Sequence, residues 1–100
     1  MAQAINIVRT AAGVSFSPAQ LAVETGAAVF WVNLDPQAAH QVVQAPDTPM
    51  YQYTDLLTPY VEGAEPAVSG TILATINLAY ALGEDSSVQG AIAITTVSNL

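Results

Sequence analysis

Apolar and polar positions alternate along much of the chain with a period of two, the repeat of a β-strand whose side chains point to opposite faces. Ile5 to Val8 is a short β-branched stretch, and Val14 to Phe16 follows the flexible Ala11-Ala12-Gly13. Ser17-Pro18 interrupts the pattern, and Leu21 and Val23 resume it up to Thr25-Gly26, a turn signal in which glycine accepts positive φ. Ala27 to Leu34 is almost wholly apolar, with Val29 and Trp31 on one face and Phe30, Val32 and Leu34 on the other, which predicts a central strand. Asn33, Asp35 and Pro36 close it with turn chemistry, and His40 stands at the entrance of the next β-branched run, through Val42 and Val43.

Residues 45–70 read as a long irregular segment, because Pro46, Pro49, Pro59 and Pro66 cannot donate to the interior of a sheet. Within it Thr54 is placed to cap a short helical turn through Leu56 and Leu57, stopped before Pro59. Ile72, Ala74, Ile76, Leu78 and Tyr80 alternate again, and after a break from Gly83 to Ser87 a last strand is expected from Ala91 to Val97. Helical three-to-four spacing is otherwise missing, so the expectation is an all-β sandwich of about seven strands in one domain, residues 1–100, with no internal repeat.

Composition supports folding: 52% of residues are hydrophobic and only 9% charged, the opposite of a disordered chain. A formal charge of −7, with Arg9 the sole Lys or Arg, leaves no basic surface for nucleic acid or anionic lipid. The absence of cysteine removes disulfides and thiolate chemistry. No apolar run approaches the length of a membrane span, so no membrane insertion is expected.

The stretch from Val14-Ser15-Phe16-Ser17-Pro18 through Gly26, Val29-Phe30-Trp31-Val32-Asn33-Leu34-Asp35 and His40-Gln41-Val42-Val43 strongly resembles the cupredoxin family of plastocyanin, pseudoazurin and amicyanin. The shared features are a Phe-x-Pro opening, a strand ending at a glycine turn, an apolar strand with Trp and Asn, and a following His. The resemblance implies a Greek-key β-sandwich, a first copper ligand at His40, and a periplasmic or extracellular location. It weakens in the second half, where Tyr80 and Gly90 match residues that flank the family's C-terminal ligand loop. Anchoring on Gly90 puts Leu82, Asp85 and Val88 where the family carries its Cys, His and Met ligands. A blue-copper centre needs two imidazoles and a thiolate, and this chain has one His and no Cys, so no register restores the set.

His40 therefore has two readings: a sole surviving ligand, or an inherited histidine packed at the end of the sandwich. In the first, His40 joins Asp85, the thioether of Met50 or another nearby carboxylate to hold copper or zinc without redox chemistry. In the second, no cofactor is bound. Tyr51, Tyr53 and Tyr60 suit either a recognition surface or a cover for the open end of the core. Glu62, Glu65, Glu84 and Asp85 read as solvated carboxylates, and no serine sits in a nucleophile elbow, so no enzyme is expected. The expectation is a non-catalytic binding or structural module with a protein partner, and the strands that are apolar on both faces suggest a homo-oligomer.

Overall fold

The computed structural model describes residues 2–44 and 52–95. They form nine strands: β1 (Gln3–Thr10), β2 (Gly13–Ser17), β3 (Gln20–Glu24), β4 (Ala27–Asn33), β5 (Val42–Gln44), β6 (Ala67–Val68), β7 (Ile72–Ala74), β8 (Leu78–Leu82) and β9 (Asp85–Thr95). The first sheet runs β2-β1-β4, and the far edge of β4 is shared by two short strands, β6 against Val32 and Asn33 and β7 against Ala27 to Val29. The second sheet runs β3-β9-β8-β5. Two pairings are parallel, β1 with β4 and β3 with β9, because the chain crosses between sheets before it returns beside an earlier strand.

The alternation seen in the sequence decides what each sheet buries. Ile5 and Ile7 of β1, Phe16 of β2, and Val29 and Trp31 of β4 point inward and meet Val23, Val42, Tyr80, Leu82 and Ile92 from the second sheet. Trp31 and Phe16 both present edge-to-face contacts with Tyr80, at centroid distances of 5.3 and 4.7 Å, a geometry favoured by the ring quadrupoles. Tyr80 lies directly across the ladder from Gly90. A Cβ at residue 90 would fall 2.5 Å from the Tyr80 ring, so only glycine lets the phenol lie flat across β9.

Two expectations are corrected. The alternation from Ile72 to Tyr80 is not one strand: β7 belongs to the first sheet and β8 to the second, and Ile76, in the link between them, is exposed. The crossing is held by Asn77, whose Oδ1 accepts the Ile94 amide at 2.7 Å in place of a backbone carbonyl. This split and the two-residue β6 raise the count from about seven strands to nine.

The helical turn after Thr54 is also not formed, and no helix occurs among the described residues. The Thr54 hydroxyl instead accepts the Val42 amide at 3.0 Å and donates to the Asp55 carbonyl at 2.7 Å, tying the segment to β5. Leu57 follows as a two-way backbone bridge to His40 and buries its side chain in the core. Sheet-edge pairing and burial of Leu57 outweigh the weak local preference for a single helical turn.

Candidate functional site

One end of the sandwich gathers polar groups from four places in the chain. Ile5, Ile7 and Arg9 share the inward parity of β1, so Arg9 reaches the sandwich end where the apolar core stops. At the end of β4, Asn33 is completely buried and folds the following loop around itself. Its Oδ1 accepts the Asp35 amide at 2.9 Å, and its Nδ2 donates towards the carbonyls of Ala38, Leu57 and Thr58 at 3.1, 2.9 and 3.0 Å. One side chain thus ties the 33–40 loop to the distant 57–58 segment, which brings Asp35 and His40 inward.

Asp35 is fully buried and its two oxygens are both used. Oδ1 accepts Arg9 Nε at 2.8 Å and the Gln37 amide at 2.9 Å, while Oδ2 accepts Arg9 Nη2 at 2.9 Å and faces His40 Nε2 at 2.6 Å. Burial pushes the Asp35 carboxyl up, but hydrogen bonds from Arg9, the Gln37 amide and His40 outweigh it and hold the group well below the ordinary carboxylate range.

The other nitrogen of His40, Nδ1, pairs with Oε2 of Glu84 in the turn between β8 and β9. The result is one line of alternating groups, Arg9–Asp35–His40–Glu84, that runs from a partly exposed guanidinium through two buried side chains to a half-exposed carboxylate. Both ring nitrogens face carboxylate oxygens, and each contact is a hydrogen bond when a proton sits on the nitrogen or on the oxygen it faces. Both ring nitrogens of His40 are thus already taken by carboxylate partners.

The residues singled out from the sequence fare differently. His40 is at the centre of the network and only 2% exposed. Asp85 lines the same shallow depression as His40 but turns its carboxylate to Ser87, accepting the amide at 3.0 Å and the hydroxyl at 2.6 Å; these bonds lower its pKa. The neighbouring carboxylate, Glu84, in the turn before Asp85, makes the contact to His40 instead. Met50 and Tyr51 lie outside the described residues. Tyr53 stacks on Trp31 at 5.7 Å and so covers the core.

Asp35 and Arg9 were not among the residues read as candidates. The available signal was parity: Arg9, the only Lys or Arg in the chain, follows two core isoleucines at a spacing of two and must find an anion at the buried end.

Copper, the metal suggested by the resemblance, does not fit this end of the molecule. The chain holds no thiol and one imidazole. Asp35 and Glu84 approach opposite nitrogens of that imidazole and so cannot converge with it on one ion. At the positions aligned with copper ligands, Leu82 is core and Val88 packs against the core. Among the described residues no group of three His, Cys, Asp or Glu side chains is arranged to hold a metal.

Two packed antiparallel-rich sheets, a tryptophan-bearing central strand, and a polar end built on Asn33 and His40 define a cupredoxin-like β-sandwich. Solved structures similar to it include amicyanins. The copper(I) form of a proline-to-glycine amicyanin variant superposes with a TM-score of 0.68 at 13% identity, over 94% of this chain and 82% of that one. A copper(I) methionine-to-alanine variant gives 0.67 at 15% identity over the same shares. Amicyanin from Paracoccus versutus gives 0.65 at 12% identity, over 94% and 81%. At these identities the likeness concerns fold. No family sequence profile matches the chain, and no curated protein matches it in sequence.

Proposed function

We propose that this chain is a non-catalytic cupredoxin-like binding or structural module that works without a type 1 copper centre. The observation that carries the reading is the closure of His40 between Asp35 and Glu84, which puts an ion-pair network at the end of the fold where the resemblance places a metal ligand. A buried pair of this kind fixes the loops of the sandwich end relative to the sheets and holds a defined surface for a protein partner. A periplasmic or extracellular setting accompanies the proposal, by analogy of fold alone.

The test is calorimetric titration of metal-stripped protein with copper(II) and zinc(II), beside His40→Ala. The expected result is no saturable heat that depends on His40, with an unchanged melting temperature at excess metal. Stoichiometric binding lost in His40→Ala would overturn the proposal in favour of a redox-inactive metal site at His40, since a metal could bind only by displacing one of its two carboxylate partners.

A further inference from the structure

We propose that the outer face of the first sheet is a self-recognition surface on which a second copy of this chain packs sheet against sheet. This goes beyond the preceding proposal, because it stands whether or not His40 binds a metal. The alternation that sends Ile5, Ile7, Phe16, Val29 and Trp31 into the core sends their neighbours outward. Phe30 and Val32 of β4 lie beside Ala4 and Asn6 of β1 on one side, while Val32 meets Val68 and Ala28 meets Leu73 on the other. Val68 and Leu73 are 52% and 66% exposed, while Val32, beside Val68, is only 9% exposed.

Charge argues for a second copy as the occupant. The chain carries −7, so two copies repel wherever their carboxylates meet. None of the strand residues that point out of this face is Asp, Glu, Arg or Lys: the strands offer Ala, Asn, Val, Thr and Ser from β1 and β2, and Ala, Phe, Val and Leu from the others. A basic partner would find no counter-charge here and would settle on the acidic loops. A twofold-related copy brings the same uncharged, equally twisted face and buries Phe30, Val68 and Leu73 without bringing carboxylates together.

Size sets the strength. Four strand positions at ~4.8 Å spacing and about five residues of ~3.3 Å rise give a footprint of roughly 300 Å² before side-chain relief is counted. That is small beside the ~800 Å² per partner of a standard interface, so the dimer is weak and concentration-dependent.

Sedimentation velocity across roughly three decades of concentration tests this by mass action. The expected result is a reversible monomer–dimer equilibrium that tightens with added salt, because screening removes like-charge repulsion while the contact itself is uncharged. Leu73→Glu and, separately, Val68→Glu should each weaken it by about tenfold or more, or ~1.4 kcal/mol, with unchanged melting. Leu56→Glu, exposed outside this sheet, should leave it intact. A monomer at every concentration, a dimer that loosens with salt, or a dimer indifferent to both face substitutions would overturn the proposal.

Discussion

Asp35 Oδ2 lies 2.6 Å from His40 Nε2, and the pair is buried from solvent almost completely. Their attraction alone would hardly offset the cost of removing both from water. The arrangement holds because each end is completed from elsewhere, Asp35 by the guanidinium of Arg9 and the Gln37 amide, His40 by Glu84. Removing one member therefore costs more than the pair is worth. Asp35→Asn keeps the shape but leaves Arg9 and His40 without their anion, and should lower unfolding free energy by about 3–5 kcal/mol, the range for breaking a buried pair. Urea denaturation checks it, and a loss below ~1 kcal/mol would assign the network to the ordinary surface class.

The same carboxylate sets an acid limit. Because the Asp35 pKa is lower folded than unfolded, the folded state binds that proton more weakly. Its contribution is complete above the unfolded value of ~3.9 and is lost as pH falls through the lower folded value. Melting temperature should therefore fall below about pH 4 in the wild type and fall less steeply in Asp35→Asn, whose starting stability is lower. Parallel curves for the two proteins would show that Asp35 is not the group responsible.

Gly90 is constrained by its neighbour rather than by its own backbone. The 2.5 Å separation between a residue-90 Cβ and the Tyr80 ring forces the ring or β9 to move, and both are held by Trp31, Phe16 and the β3 ladder. Gly90→Ala should destabilise by about 1–3 kcal/mol, the cost of overpacking a core. Tyr80→Phe should not restore the loss in the double variant, because the clashing ring carbons remain. Thermal melts of the four proteins give the coupling directly.

The fold was legible where one side chain's environment follows from the next two residues. The period of two in β1 to β4 and the turn at Thr25-Gly26 describe local backbone, and the core positions of Ile5, Ile7, Val29 and Trp31 follow from it. What the pattern concealed is which sheet a strand joins: Ile72 to Tyr80 alternates without a break, yet Asn77 redirects the chain between sheets through a bond to Ile94, far along the sequence. The site was legible only at His40. Its partners Asp35 and Glu84 look like any turn acids, and one residue's difference in the β8–β9 turn decides that Glu84, not Asp85, meets the ring. That choice rests on side-chain contacts within the turn, Glu84 to His40 and Asp85 to Ser87, which leave no mark in hydrophobic periodicity.

Asn33 offers the sharpest test of how the sandwich end is assembled. Its amide nitrogen faces three carbonyl oxygens and its amide oxygen accepts one backbone N–H, so donor and acceptor ends are both specified. Asn33→Ala leaves these buried groups unpaired and should cost about 2 kcal/mol or more. Asn33→Asp has nearly the same shape and keeps the acceptor for the Asp35 amide, yet it turns an anion towards the carbonyls of Ala38, Leu57 and Thr58. If the site depends on donation from residue 33, Asn33→Asp is less stable than Asn33→Ala at neutral pH, even though it is the closer isostere. The gap should narrow on acidification, since a protonated carboxyl regains one donor. Denaturation of both variants at neutral and acidic pH decides the point: an aspartate variant as stable as the wild type at neutral pH would mean that the 57–58 segment docks without Asn33.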